Sequence, residues 1–225
     1  MVFLLPLVVF LVVAILMPAV RRWAVAADFV DRPGGRKRHE EAVPPIGGIV
    51  VFPVFLFFMI IADSSATALW FYLAMALLLV IGALDDRHQI SPRVKFAAQI
   101  AAAFIIVIPG GTNVIGLGNL LGFGPLWLGW GGPIFAMTAT VLLINGVNLL
   151  DGLDGLAAGM GFIVLFWLAL CGAGASALIL MAALAGFLVY NMRHPWRGRA
   201  CVFLGDAGSM ALGLGLAWFC INLSQ

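Results

Sequence analysis

The chain has 225 residues, 64% of them hydrophobic and only 10% charged, with a formal net charge of +2 and a mean hydropathy of +1.13. That composition excludes a water-soluble globule and points to an all-α, polytopic membrane protein. A spanning helix needs ~20 apolar residues, so roughly eight spans fit and no separate soluble domain does; residues 1–225 are expected to form a single transmembrane domain.

The first apolar stretch, 2–19, has no basic leader and no small-residue cleavage pattern, so it reads as a span rather than a removed signal peptide. Further stretches follow at 43–62, 67–84, 96–109, 133–148, 157–172, 175–192 and 207–223, each bounded by Gly, Pro or charge. If the spans alternate in direction, the segments 20–42, 85–95, 149–156 and 193–206 share one side. All twelve Lys and Arg lie there, which makes that side cytoplasmic. Nine of the ten acids lie there too, with Asp63 opposite, as do His39, His88 and His194. The positive bias orients the chain but does not require carboxylates to gather on the same side, so a cytoplasmic-face active site is expected. The Gly-rich stretch 110–132, with Trp127 and Trp130, reads as an interfacial loop without chemistry. Cys171, Cys201 and Cys220 have no metal spacing and read as buried small hydrophobes.

Three places carry candidate chemistry. Asp85 and Asp86 end an apolar run and are followed by Arg87, Arg93 and Lys95. Carboxylates at a helix C-terminus oppose the macrodipole and need a compensating partner; the plain alternative is a solvated helix end. Asn145, Asn148 and Asp151 recur every three residues, on one helical face, and Asp154 extends the row. The alternative there is a fraying helix whose Asn and Asp serve as caps. Asp206, in Phe203-Leu204-Gly205-Asp206-Ala207-Gly208-Ser209, suits either the N-cap of the last helix or a metal ligand beside a phosphate-binding helix start. Carboxylates, amides, glycines and basic residues at one membrane face fit a diphosphate handled with a divalent cation: Mg²⁺ takes oxygen ligands and bridges carboxylates to phosphates, and Lys and Arg neutralise charge on a leaving phosphate. Zinc and a Ser-His-Asp hydrolase lack their patterns. The basic run Arg32-Pro33-Gly34-Gly35-Arg36-Lys37-Arg38-His39 suits either anionic lipid headgroups or substrate.

Taken in order, Asp85-Asp86 with Arg93-x-Lys95, Asn145-x-x-Asn148-x-x-Asp151-Gly-x-Asp154, and Phe203-x-Gly205-Asp206-x-Gly208-Ser209 resemble the polyprenyl-phosphate N-acetylhexosamine-1-phosphate transferases, glycosyltransferase family 4. Asp31-Arg32-Pro33, Arg36-Lys37-Arg38-His39 and Pro45-x-Gly47-Gly48 look most like the branch using N-acetylglucosamine-1-phosphate and undecaprenyl phosphate. The phospho-N-acetylmuramoyl-pentapeptide transferases are the nearer relatives to exclude. The resemblance implies a Mg²⁺-dependent reaction, with Mn²⁺ as a substitute: UDP-N-acetylhexosamine plus polyprenyl phosphate gives polyprenyl-diphospho-sugar and UMP. This occurs at the cytoplasmic face of the bacterial inner membrane and initiates envelope polysaccharides such as O-antigen. It implies Asp206, Asp151 and Asn148 as metal or diphosphate contacts, Asp85 and Asp86 as groups that orient or deprotonate the lipid phosphate, and Lys95 as a neutraliser of phosphate charge. Asp151 is also a candidate catalytic group, Asn145 and Asp154 would contact the nucleotide or hold neighbouring groups in place, and Arg93, Arg36, Lys37 and His39 are further candidate substrate contacts. Direct attack and a covalent aspartyl-phosphate both remain open. Family members continue past this chain's last span through further helices and a histidine-bearing loop, so a fragment or shortened form is expected, and a missing neighbour would leave the last helix with an exposed polar face or an unfilled groove. No nucleic-acid partner is expected; a homodimer is an open arrangement.

Other classes fit less well. A transporter should spread ionisable groups through the membrane depth, and a CDP-alcohol phosphotransferase should show Arg and further Asp after the Asp-Gly element, which 155–165 lack. A non-catalytic assembly subunit is the remaining alternative.

Overall fold

The computed structural model describes residues 4–32, 42–62, 65–120, 122–193 and 198–224. Among them are eight α-helices: α1 Leu4–Ala26, α2 Gly47–Ala62, α3 Ala66–His88, α4 Pro92–Val107, α5 Gly132–Leu150, α6 Leu156–Leu168, α7 Gly174–Asn191 and α8 Gly205–Leu223. No strand forms among the described residues; the pairs Asp31–Val43 and Gly116–Trp127 are isolated bridges. The all-α membrane bundle read from the sequence is therefore the architecture.

Eight helices appear where eight apolar stretches stood, yet among the described residues five helical stretches are long and apolar enough to cross a membrane by length and composition. The difference has two sources. Helices α2 and α4 have 16 residues each, a rise of about 24 Å against a hydrocarbon core of ~30 Å. The 36-residue stretch Leu156–Asn191 counts once although it holds both α6 and α7. A short π-helical segment, Ala169–Ala173, ends α6; Gly172 at φ +112° and Gly174 at φ +67° then let the chain reverse, and α6 packs against α7. Only glycine takes such angles without strain.

Local chemistry sets the ends nearest the charged face. Ser91 caps α4, its hydroxyl accepting from the Val94 N–H at 3.4 Å, with Pro92 in the first turn. Helix α3 runs on to His88, one turn past the apolar run, and closes on Gln89 in a left-handed conformation whose N–H bonds the Asp85 carbonyl at 2.8 Å. The Asp85-Asp86 pair thus sits in a helical last turn.

Helix α8 is the axis of the bundle: 72% of its spanning window is buried, and it touches α2, α3, α4, α5 and α6. Small side chains let the neighbours of α8 close in, and its exposed positions fall in its last turns, at Cys220 and Asn222. Gly48 of α2 meets the Gly208 backbone, and Gly82 of α3 meets Ala207, so closely that a Cβ at either glycine would collide with main chain. The segment before α8 runs beside the start of α2. Phe203 N–H donates to Pro44 O at 3.0 Å, and the N–H groups of Gly47 and Gly48 donate to Phe203 O and Leu204 O at 2.9 and 2.8 Å. Donors that a helix start leaves orphaned are satisfied in this way.

Candidate functional site

Four helix ends meet at the basic face. The last turn of α3 brings Asp85 and Asp86, the start of α4 brings Lys95 and Gln99, the end of α5 brings Asn145, Asn148 and Asp151, and the start of α8 brings Asp206 and Ser209. Lys95 Nζ lies 2.8 Å from Asp85 Oδ2 and 2.7 Å from Asp206 Oδ2. Asn148 Nδ2 donates to Asp206 Oδ1 at 2.6 Å and to the buried Ser209 hydroxyl at 2.8 Å. Both Asp206 oxygens are therefore engaged, one by a cation and one by an amide.

Asp86 takes the role that the sequence offered to Asp206. Leu204 is the N-cap residue of α8 and has no side-chain cap bond; instead Asp86 Oδ1 accepts the Asp206 N–H at 2.8 Å and Oδ2 accepts the Ala207 N–H at 3.1 Å. An α3 carboxylate thus closes the positive end of α8, which supplies the compensation that an acid at a helix C-terminus requires. Gly205 permits the approach: its φ is +76°, and a Cβ there would stand 2.7 Å from Asp86 Oδ2 and 2.9 Å from Pro45 O.

Asp151 caps α5 just beyond its last turn. Burial pushes its carboxyl up to about 8, the neighbouring Asp206 and Asp86 carboxylates add to the rise, and the Gly205 N–H offsets part of it. Asn145 commits both amide hydrogens, to Gln99 Oε1 at 2.6 Å and Val141 O at 2.8 Å. Gln99 is buried, with its amide nitrogen 3.6 Å from Met210 Sδ. Asp154 stands apart from the four-helix cluster: its Oδ2 accepts from Arg193 Nε at 2.7 Å and from the Ala200 N–H at 3.3 Å. Asn191 continues that brace, accepting from the Gly155 N–H at 2.8 Å and donating to Val202 O at 2.9 Å. Arg93 is exposed in the first turn of α4. Arg36, Lys37 and His39 lie outside the described residues.

Gln99 and Ser209 were not singled out as site residues from the sequence. Each had a signal: Gln99 is the one amide in α4 and lies four residues after Lys95, on the same helical face, and Ser209 follows Asp206 by three.

No group of three or more His, Cys, Asp or Glu side chains gathers as a metal cage among the described residues. The donor chemistry nevertheless suits Mg²⁺, which usually keeps waters and uses one or two carboxylates plus substrate phosphates. Asp206 and Asp151, electrostatically coupled across the site, supply two such carboxylates. Asn148 is turned with its amide nitrogen toward Asp206.

The model of the family described as "Glycosyl transferase family 4" matches residues 68–224, a stretch that contains Asp85, Lys95, Asn148, Asp151 and Asp206. The chain belongs to glycosyl transferase family 4. It is 34% identical over 222 residues to a probable undecaprenyl-phosphate N-acetylglucosaminyl 1-phosphate transferase of Bacillus subtilis (strain 168), covering 92% of this chain and 59% of that protein. Undecaprenyl-phosphate alpha-N-acetylglucosaminyl 1-phosphate transferases of Escherichia coli (strain K12) and Yersinia pestis are 31% and 32% identical, over 96% and 91% of this chain and 61% and 58% of theirs. The chain thus spans about three fifths of the length of the curated relatives it matches. The family resemblance read from the three motifs is borne out, and this glycosyl transferase family 4 chain is a multi-pass membrane protein.

Proposed function

We propose that the chain transfers N-acetylglucosamine-1-phosphate from UDP-N-acetylglucosamine to undecaprenyl phosphate, releasing UMP, at the cytoplasmic face of the bacterial inner membrane. The observation that carries this reading is Lys95 clasped between Asp85 and Asp206, with Asn148 on the other Asp206 oxygen, where four helix ends meet on the face that holds the basic residues. In the reaction an oxygen of the lipid phosphate bonds to the β-phosphorus of the nucleotide sugar. The bond from that phosphorus to the oxygen bridging it to the α-phosphate breaks, and UMP leaves with that oxygen. A phosphate monoester has a second pKa near 6, so the lipid nucleophile is already mostly a dianion at neutral pH and needs no strong base. Phosphoryl transfer then depends on positioning and charge stabilisation.

In this reading Asp206 and Asp151 hold Mg²⁺, which when bound neutralises charge on the diphosphate. Lys95 turns from the two carboxylates toward substrate phosphate and meets charge developing on the leaving UMP. Asn148 orients Asp206. Asp86 keeps both oxygens on backbone N–H groups of α8, which favours direct attack by the lipid over a covalent intermediate at that residue.

The test is transfer of labelled N-acetylglucosamine-1-phosphate to undecaprenyl phosphate in detergent, with and without Mg²⁺, by the wild type and by Asp206→Asn. Metal-dependent lipid product lost by at least about 100-fold in the variant is expected. Product from UDP-N-acetylmuramoyl-pentapeptide in place of UDP-N-acetylglucosamine would overturn the substrate assignment, and product that is indifferent to Asp206 would overturn the site.

A further inference from the structure

A cavity of about 450 Å³ lies between α1 and the end of α7, lined by Pro18, Arg21, Arg22, Tyr190 and Cys201. None of these residues belongs to the four-helix site. Its construction begins with Pro18 inside α1. Proline has no N–H, so the Ala14 carbonyl four residues earlier has no helical donor, and inside a membrane such a group must find another. The Tyr190 hydroxyl supplies it at 2.9 Å, which ties α7 to α1 at the level of the proline. One turn further on, Arg21 Nε donates to Cys201 O at 3.1 Å, and the Cys201 N–H donates to Tyr190 O at 2.9 Å.

That arrangement uses one of the five N–H donors of the Arg21 guanidinium. Among the described residues no carboxylate pairs with Arg21 or Arg22; the nearby Asp28 pairs with Arg32 at 2.7 Å. Two cations that no described carboxylate compensates therefore line one cavity. The surface leading to it is apolar. Leu11, Ile15, Pro18 and Arg22 recur at spacings of four, three and four, one face of α1, and Leu11 and Ile15 are 45% and 70% exposed. Trp23, 61% exposed, stands beside the arginine pair, as an indole does at headgroup level.

We propose that this cavity holds the phosphodiester headgroup of an anionic phospholipid, with one acyl chain along the Leu11–Ile15 face of α1. Two cations at the end of an apolar stripe match the two parts of that ligand, whereas a free phosphate would use only the first. The bound headgroup also has a route to the site. Arg21 holds Cys201, and two residues later Phe203 exchanges hydrogen bonds with Pro44 and Gly47 on the way to Asp206. The lipid therefore braces the segment that delivers Asp206, without touching substrate.

The test is native mass spectrometry of the purified chain with equal amounts of phosphatidylglycerol and phosphatidylcholine carrying the same acyl chains. Preferential retention of phosphatidylglycerol is expected, weakened about 30-fold in R21Q/R22Q, at ~1 kcal/mol for each basic residue removed, and kept in R21K/R22K. Equal retention of the two lipids by the wild type overturns the proposal without recourse to any variant. Displacement of the phosphatidylglycerol by millimolar inorganic phosphate would reduce the cavity to an anion site and overturn it as well. Displacement by equimolar undecaprenyl phosphate, abolished in R21Q/R22Q, would assign the cavity to the substrate lipid instead. None of these readouts requires transferase activity, so the inference stands or falls apart from the proposed reaction.

Discussion

Lys95 is the charge that allows Asp85 and Asp206 to stand together. Two carboxylates brought to one point repel, and an ammonium within 2.8 Å of both offsets that repulsion. Replacing it with Met should leave two carboxylates facing each other without a cation, and should lower the proposed transfer by at least about 100-fold; measured turnover within a few fold of wild type would remove Lys95 from the chemistry. Asp151 gives a separate, pH-dependent prediction. Its carboxyl titrates near 8 in the folded chain against about 4 in an unfolded one, so the folded state holds the proton more tightly. Without metal, its contribution to stability is present below about pH 4, is lost as pH rises toward 8 and then levels off. The proposed Mg²⁺ ligation requires the ionised form, so Mg²⁺ affinity should rise with pH up to about 8 as binding releases the proton. Thermal unfolding in chelator and Mg²⁺ titrations at pH 6, 7 and 8.5 should show opposite slopes, and Asp151→Asn should flatten both. At this scale the row Asn145, Asn148, Asp151 and the pair Asp85-Asp86 were legible, because polar groups in an apolar run are costly enough to need a reason. What each of them bonds was not legible: Asn145 is committed to Gln99 across 46 positions and Asp86 to α8 across 120, and no local pattern encodes such partners.

At the scale of the helices, the site depends on how closely α2 and α3 approach α8. Gly48 and Gly82 both face α8 main chain, at Gly208 and Ala207, with no room for a methyl group, and Asp86 lies one turn beyond Gly82 on α3. Gly82→Ala should push α3 from α8, break the Asp86 bonds to the Asp206 and Ala207 N–H groups and lower stability by about 1–3 kcal/mol, the usual cost of overpacking. Gly146→Ala is the control, since nothing lies within 4 Å of a Cβ there; it should be neutral or better in detergent unfolding. Equal melting temperatures for the two variants would show that the α3–α8 crossing is looser than the structure has it. Helix existence was legible from hydropathy, and helix ends less so. The apolar stretch stops at residue 84 because 85–88 are charged, although tertiary bonds to α4 and α8 keep those residues helical. The central place of α8 was hidden for a related reason: all the helices are apolar, so hydropathy does not separate a lipid-facing surface from a protein-facing one, and the small-residue pattern of α8 carries that information instead.

For the molecule as a whole, the decisive asymmetry is between its two ends. One end carries Asp85, Lys95, Asp151 and Asp206; helix α4 leads away from it to the segment 108–131 at the other end, where Phe123 and Trp130 are 96% and 99% exposed. A nucleotide sugar is made and kept inside the cell, so the proposed reaction requires the first end to face the cytoplasm, which the basic residues there independently favour. The aromatic end then lies at the outer interface, where amphipathic rings are at home. With Cys171, Cys201 and Cys220 changed to Ser, a membrane-impermeant maleimide applied to intact cells should label Phe123→Cys and spare His88→Cys, which should react only once the membrane is opened. Both positions are exposed on the structure, so failure to label cannot come from burial within the chain. The reverse pattern would place the four-helix site outside the cell, away from any pool of nucleotide sugar, and the transfer reaction would have to be abandoned however well the carboxylates are arranged.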